Sequence, residues 1–542
     1  MSIKQSRTIK RLIKDSEKGK FSASYQLYKL YSDGYGISDS NIIEADKYKK
    51  LCAEQLSKEK FRIQKIHLEN FKSFESFTVE FPNSTHTTVF VGNNGGGKST
   101  VLESLKMSLT HARSRISTKS SNGDQISIQD IKIGRDYSKI VCVFSVDDVE
   151  FPIEIYQSRD INDGETRSKY SGVNELGNIF KSANTADPNS SFPLLASYTV
   201  ERANDVTTKD IEESDEIKDQ FVWNKSIAYH KSLTGKADFR LFFRWIKELI
   251  EQNNLDGAEL NELKAQIKIK EDELKNPLLQ AILKEAKDSD KANSFIRDHK
   301  EQLNFLYDKL NSLHNINSRT LSVVENAIYN FLPGFKNLKL YIKPLDLTVE
   351  KDGVEFSILQ LSQGEKSILA LVADISRRLI ILNPGLDNPL LGSGVVLIDE
   401  LDLHLHPSWQ QKIIDRLENT FPNIQFIVST HSPQICHTVD SENIWIIRDG
   451  KKYRAPKGVR GGVSSWVLKK LFEVEERPPE DYYTQLLNDY HKLVYADQYD
   501  SNEAKDMYFQ LIEHFGQDYP YILELRLYIE NREWEKEIEK SI

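Results

Sequence analysis

Cysteine is scarce: three in 542 residues, at Cys52, Cys142 and Cys436. They lie far apart and form no C-x-x-C pair, which excludes a zinc ribbon or zinc hook built from neighbouring cysteines. Low cysteine use also points to a reducing compartment. Long apolar runs are missing too. No stretch approaches the length of a bilayer span, and the N-terminus has no signal-peptide core. The expected location is cytoplasmic, with no membrane contact. Positive charge is in deficit: the formal net charge is -9 and the pI about 5.9. Such a molecule is not a generalised nucleic-acid binder, so any such contact must come from a local basic patch or from a partner. One patch runs through Lys4, Arg7, Lys10, Arg11, Lys14, Lys18 and Lys20. It reads as a solvated tail.

What is present is more specific. The stretch Gly92-Asn93-Asn94-Gly95-Gly96-Gly97-Lys98-Ser99-Thr100 follows the apolar run Thr88–Val91 and precedes a helix-like run from Val101. Strand, glycine loop and helix are the context that the P-loop pattern G-x-x-x-x-G-K-[ST] requires. Glycines let backbone N–H groups close around a polyphosphate, and the helix N-terminus favours anions. Lys98 can reach the β- and γ-phosphates, and the Ser99 hydroxyl can ligate Mg²⁺. The cofactors expected are therefore ATP and Mg²⁺.

The length allows two to four domains. Residues 1–60 read as helix, glycine turn, helix, in an order similar to one Sel1-like repeat. A plain helical hairpin fits equally well. Residues 61–235 turn to strand patterning, as in Phe61–Leu68, Phe77–Phe81, Lys139–Phe144 and Pro152–Tyr156, and form a first lobe carrying the P-loop. Within it, residues 161–190 are rich in Asn, Ser and Gly and predict an exposed loop. Residues 236–330 return to helical spacing, at Leu260, Leu263, Ile267 and Leu274 and again at Leu303, Leu306, Leu310 and Leu313. They form an inserted helical arm or a packed helical subdomain. A second lobe spans 331–462, with strands at Lys339–Ile342 and Leu347–Glu350. Helices rich in aromatics fill 463–542. Tyr482, Tyr483, Leu486, Leu487, Tyr490 and Leu493 could share one face, and Met507, Leu511, Ile512 and Phe515 another; both read as core.

The second lobe carries four more segments. Leu361-Ser362-Gln363-Gly364-Glu365 opens a long helical run, and a Ser-x-Gly turn at a helix start suits anions. Val395–Ile398 is a short apolar strand ending in Asp399-Glu400. Ligands in such sheets sit at the carboxyl ends of strands, so both acids can face phosphate. Asp399 would hold Mg²⁺, and Glu400 would orient the attacking water. Leu403-His404-Leu405-His406-Pro407 follows. Its His-x-His has no evident third metal ligand, so a subunit-contact or structural role is the better reading. Phe426–Val428 leads to Ser429-Thr430-His431, which puts a histidine at a strand end.

In that order these segments resemble the P-loop, signature, Walker B, D-loop and H-switch of the ABC ATPase superfamily, with Gln363 where the signature has glycine. The long interval between the first two motifs resembles the chromosome-maintenance and OLD-like branch, as does the strand pair around Ile66–Phe74. The implied fold is α/β, an ABC-type ATPase head with a mixed sheet and flanking helices, plus the inserted helical arm and helical N- and C-terminal extensions. The resemblance further implies a homodimer of heads, or a higher oligomer. In it the signature residues Ser362, Gln363, Gly364 and Glu365 act in trans, and Glu400 and His431 are catalytic. Gln157 is the candidate for the Q-loop glutamine. A zinc-hook repair ATPase is not matched, because the insert is short and lacks cysteine. A full OLD nuclease is not matched either, because no D-x-D cluster follows the H-switch. The chain more closely resembles the PtuA-type ATPases of Septu and retron-associated anti-phage systems. The matching residues are Phe71-Lys72-Ser73-Phe74, the P-loop, Leu361–Glu365, Asp399–Pro407 and Leu471–Pro478. That resemblance implies a PtuB-like HNH endonuclease partner and, in the retron version, a reverse transcriptase with its msDNA. Nucleic acid would then be reached through partners. The rival expectation is a RecF- or OLD-like ATPase acting directly on DNA in repair or recombination.

Overall fold

The computed structural model describes residues 7–33, 41–117, 122–160, 167–200, 224–237, 241–249, 265–270, 302, 306, 320–342 and 345–541. Most of the expected arm, including Leu260, Leu263, Leu274, Leu303, Leu310 and Leu313, lies outside the described residues. The chain divides into two compact units, Met1–Gly461 and Gly462–Ile542.

The first unit is built on a six-stranded mixed sheet. Its order is β13 (Lys451–Arg454), β12 (Ile444–Arg448), β3 (Thr87–Val91), β11 (Ile424–Ser429), β10 (Gly394–Ile398) and β6 (Leu194–Tyr198). All neighbours run parallel except β12 and β13. Strands β3, β6, β10 and β11 are buried along their whole length. This explains why they read as continuous apolar runs, as strands covered on both faces must. The register sets Ile398 opposite Val428, and Ser429 opposite Phe90. The carboxyl ends of β3, β11 and β10 therefore lie side by side, about 5 Å per strand step.

A four-stranded antiparallel sheet covers this lobe, in the order β2 (Phe74–Glu80), β1 (Phe61–Phe71), β4 (Tyr137–Val146), β5 (Val149–Ser158). One buried side chain stitches the two sheets. The Gln425 amide of β11 accepts from the Ile63 N–H at 2.8 Å and donates to the Ile63 carbonyl at 3.0 Å, as a neighbouring strand would. A third sheet, β7 (Phe335–Ile342), β8 (Leu345–Lys351) and β9 (Val354–Ser357), leads into the signature helix Gln363–Leu382.

Two expectations from sequence are corrected here. Part of the polar stretch 161–190 is a helix, α5 (Ser171–Ala186), among α1 (Arg7–Glu17), α2 (Phe21–Asp33), α3 (Ile42–Gln55) and α4 (Lys98–Ile116). It buries Val173, Leu176, Ile179 and Phe180. Asn and Ser occupy its outer face, so composition masked the helical spacing. The basic N-terminal stretch is likewise no tail over 7–17. Helix α1 buries Ile9 and Leu12 in a cluster with Leu27, Tyr31 and Tyr48, while its lysines face water.

The second unit packs helices Tyr482–Tyr495, Asn502–Phe515 and Pro520–Ser541 around Leu487, Val494, Leu511, Ile522 and Leu525. Asp481 and Ser501 cap the first two helices, accepting from the N–H groups of Thr484 and Ala504. Most of the two expected apolar faces enter this core, but Tyr482 stays exposed. No helix among the described residues is long and apolar enough to cross a membrane.

Candidate active site

The loop after β3 is shaped by close approach. Gly92 has φ +145°, and a Cβ there would stand 2.2 Å from the Ile447 carbonyl of β12. A Cβ on Gly96 would stand 2.8 Å from the same oxygen, and one on Gly97 (φ +107°) 2.6 Å from the Phe74 ring. Only glycine fits these three positions. Gly95, at φ +79°, has open space around it, and Asn93 and Asn94 are exposed. Gly97 caps α4, so Lys98, Ser99 and Thr100 fall in the helix's first turn, where N–H groups lack partners.

Lys98 is buried and folded over the loop. Its Nζ donates to the Gly92 carbonyl at 2.9 Å and the Asn93 carbonyl at 3.2 Å. Burial pulls its pKa below the ordinary range, against the opposing pull of Asp399, Glu400 and Asp402. His431 feels the same three acids. Burial first and Lys98 second hold it below the usual imidazole value, while Asp402, Glu400 and Asp399 oppose them. Lys98, the acids after β10 and the histidine after β11 thus share one electrostatic environment.

The acids are held by the neighbouring strand end. Ser429 donates its hydroxyl to the Asp399 carboxylate and accepts the Glu400 N–H at 2.8 Å. The Asp399 N–H reaches the Tyr198 carbonyl of β6 at 2.8 Å. Glu400 sits in the left-handed region at φ +49°, an arrangement that costs a non-glycine residue on the order of 1 kcal/mol and clusters at working sites. Asp402 accepts from the Thr430 hydroxyl at 2.5 Å and from the His431 N–H at 3.2 Å. Gln410 donates to the carbonyls of Asp402 and Leu405, and Ser432 donates to its Oε1 at 2.7 Å. The turn after β10 and the turn after β11 are therefore clasped together.

The residues fit a magnesium-bound nucleotide. Ser99 and Asp399 line one cavity of about 200 Å³, together with Glu103, Lys106, Tyr198 and Thr199. One hydroxyl and one carboxylate suit Mg²⁺, which keeps most of its water. His404 and His406 give no such set. His406 accepts from the Ser408 N–H as a helix cap, and no group of three potential metal ligands occurs among the described residues.

The signature turn stands apart in character. Ser362 caps its helix and Glu365 reaches back to the Ser362 N–H at 2.9 Å, a reciprocal capping box. Burial pushes the Glu365 carboxyl up, but Lys351 at 2.6 Å and the Ser362 hydrogen bonds outweigh it and leave the pKa lowered. Ser362 and Gln363 are exposed. A Cβ on Gly364 would lie 2.5 Å from the His404 carbonyl, so the signature turn abuts the D-loop segment of its own chain. Further along this helix Asp374 is fully buried. It accepts from Arg377 at 2.6 Å, Arg378 at 2.8 Å and the Tyr198 hydroxyl of β6 at 2.9 Å. Gln157 lies on β5, where its amide donates to the Ser158 carbonyl.

Sequence reasoning passed over Ser429, Asp402 and Tyr198. The first two stand inside segments already singled out; Tyr198 had no signal, because only the pairing of β6 with β10 gives it a place.

Residues 87–436 match the family described as "AAA domain, putative AbiEii toxin, Type IV TA system". The chain is 54% identical over 534 residues to the retron Ec83 probable ATPase of Escherichia coli, spanning 98% of each. It is 33% identical over 515 residues to the retron Vc95 probable ATPase of Vibrio cholerae, covering 92% of this chain and 96% of that one. The Septu protein PtuA of Bacillus mycoides matches at 22% identity over 406 residues, 74% of this chain and 41% of that protein. With a P-loop, paired acids and a histidine gathered at adjoining strand ends, the chain belongs to this AAA-domain family and, within it, groups with the retron probable ATPases.

Proposed function

We propose that the chain binds and hydrolyses ATP as the regulatory subunit of an anti-phage defence assembly, and that a partner, not this chain, cuts nucleic acid. The observation that carries the reading is the shared environment of Lys98, Asp399, Glu400 and His431 at the mouth of the glycine loop.

In this reading Lys98 exchanges the carbonyls of Gly92 and Asn93 for phosphate oxygens. The loop's N–H groups cradle the phosphates, and Ser99 with Asp399 holds Mg²⁺. The metal, when bound, offsets charge that develops on the phosphoryl oxygens. Glu400, fixed through its N–H by Ser429, orients the attacking water. His431, kept neutral by burial and Lys98, meets the γ-phosphate. Exposed Ser362 and Gln363, with Gly364 and Glu365 behind them, close over the nucleotide of a second copy. Two heads then share two sites, and their union and separation set the state of the partner. The relatives' names, retron probable ATPase and Septu protein PtuA, support a defence setting. The partner that fits this setting is a PtuB-like HNH endonuclease, with a retron reverse transcriptase and its msDNA.

The test is ATP turnover and ATP-dependent mass in solution for the parent and for Glu400→Gln. The parent is expected to turn over ATP. The variant should bind ATP, pair more persistently, and lose at least about a hundredfold in turnover. Equal rates would remove Glu400 from the reaction. Nuclease activity of the purified chain alone would overturn the division of labour.

A further inference from the structure

Residues 448–460 carry six Lys or Arg and a single Asp, in a chain that is acidic overall. They centre on β13, the edge strand of the six-stranded sheet. Both faces of that strand are cationic. Lys451 and Tyr453 point one way, and Lys452 and Arg454 the other. The Arg454 guanidinium lies 3.4 Å from the centre of the Trp445 ring on β12, directly opposite in register, and the Lys452 ammonium lies 4.5 Å from the same ring. One indole therefore holds two cations. Burial first, then Arg454, draws the Lys452 pKa down; Lys65 adds to this and only Glu80 opposes it.

Among the described residues this crowding is offset only by Glu80 at Lys452 and Glu442 at Arg454. Arg460 is paired with Asp440 and Lys65 with Glu80. Among the described residues Lys451, Lys452 and Lys457 form no ion pair, and Arg454 donates to the Glu442 carbonyl, not to a carboxylate. Edge lysines also keep strands from pairing with foreign chains. That role needs neither a guanidinium stacked on tryptophan nor a tyrosine 47% exposed between the cations. Cations without acidic partners beside an exposed ring are what a single strand of nucleic acid requires: phosphates meet the charges and an unstacked base meets Tyr453, while buried Trp445 holds two of the cations in place.

We propose that the β12–β13 ribbon, through Lys451, Lys452, Tyr453, Arg454 and Lys457, is a binding surface for single-stranded nucleic acid. The chain then makes its own contact with a strand, beyond any contact through partners. The surface is separate from the nucleotide site, so it stands or falls independently of ATP turnover.

Fluorescence anisotropy with labelled single-stranded DNA, single-stranded RNA and duplex DNA of equal length, across a salt series, tests it. The parent should bind single strands more tightly than duplex, with affinity falling steeply in salt. Lys451→Ala/Lys452→Ala/Lys457→Ala should weaken binding at least about tenfold and flatten the log–log salt slope by about 2, at roughly 0.7 for each phosphate no longer neutralised. Tyr453→Ala should weaken single-strand binding and leave the slope alone. ATP turnover should match the parent in every variant. If the triple variant misfolds, Lys451→Ala/Lys457→Ala, both exposed, should flatten the slope by about 1.4. The DNA and RNA arms say which strand is preferred. Absence of single-strand binding by the parent, an unchanged slope in the variants, or equal affinity for duplex would overturn the proposal.

Discussion

The Ser429 hydroxyl donates to the Asp399 carboxylate across two parallel strands, so the acid after β10 is aimed by the strand that also carries His431. The same oxygen accepts the Glu400 N–H. Ser429→Ala removes both contacts without emptying the core. Turnover of ATP should fall about tenfold, the worth of one hydrogen bond to a charged group, with ATP affinity within about threefold of the parent. Steady-state kinetics that show only a raised KM would refute this assignment.

Neighbouring glycines should differ sharply. Gly92→Ala drives a methyl into the backbone carbonyl of Ile447, which has no flexible end to yield. Nucleotide affinity should fall more than about a hundredfold, in a protein that still melts cooperatively. Gly95→Ala meets open space and bears only a positive φ, a cost of about 1–2 kcal/mol. Its affinity loss should stay near tenfold. Titration with a fluorescent ATP analogue separates the two cases; equal losses would mean that the Ile447 contact does not set the loop.

Asp374 is the acid most deeply embedded in the signature helix. Burial pushes its pKa up, yet the guanidiniums of Arg378 and Arg377 outweigh this and hold it ionised. Asp374→Asn removes the carboxylate that both buried arginines share. Unfolding free energy should drop by about 3–5 kcal/mol in a denaturant titration. Asp374→Leu should be no better, since the cations remain. A change below about 1 kcal/mol would show that the arginines have other means of neutralisation.

Lys225 supplies a pH test. It donates to Asn184 at 2.7 Å and Ser190 at 3.2 Å beside the Phe192 ring. Burial draws its pKa down to about 8, with Asp187 opposing. The unfolded chain keeps this lysine protonated to about 10.4, so between pH 8 and 10.4 the unfolded state binds more protons and the native state gains stability as pH rises. Lys225→Met has no such proton. Parent stability should therefore climb relative to the variant between pH 7.5 and pH 9.5, read as urea midpoints. A flat difference would place Lys225 in water.

The P-loop, the paired acids and the histidine were legible because each sits at the end of a strand buried on both faces. A four-residue apolar run such as Val395–Ile398 followed by two acids has few other readings. Helix α5 was hidden because its outer face uses the Asn and Ser that loops also use. The role of Ser429 was invisible for a different reason. Its partners are thirty residues away along the chain, and only the parallel register of β10 with β11 brings them together. The cationic ribbon escaped as well, since a charge run gives no hint that it lies along the rim of a sheet with an indole beneath it.

The Ile447 carbonyl presses on Gly92 and Gly96 from one side, while its strand carries Lys452 and Arg454 as cross-strand neighbours on the other. The floor of the phosphate cradle and the rim of positive charge are thus two ends of one stiff plank. The two share a backbone and not their side chains, so the cations can be stripped from the rim while the seat for a triphosphate keeps its clearance.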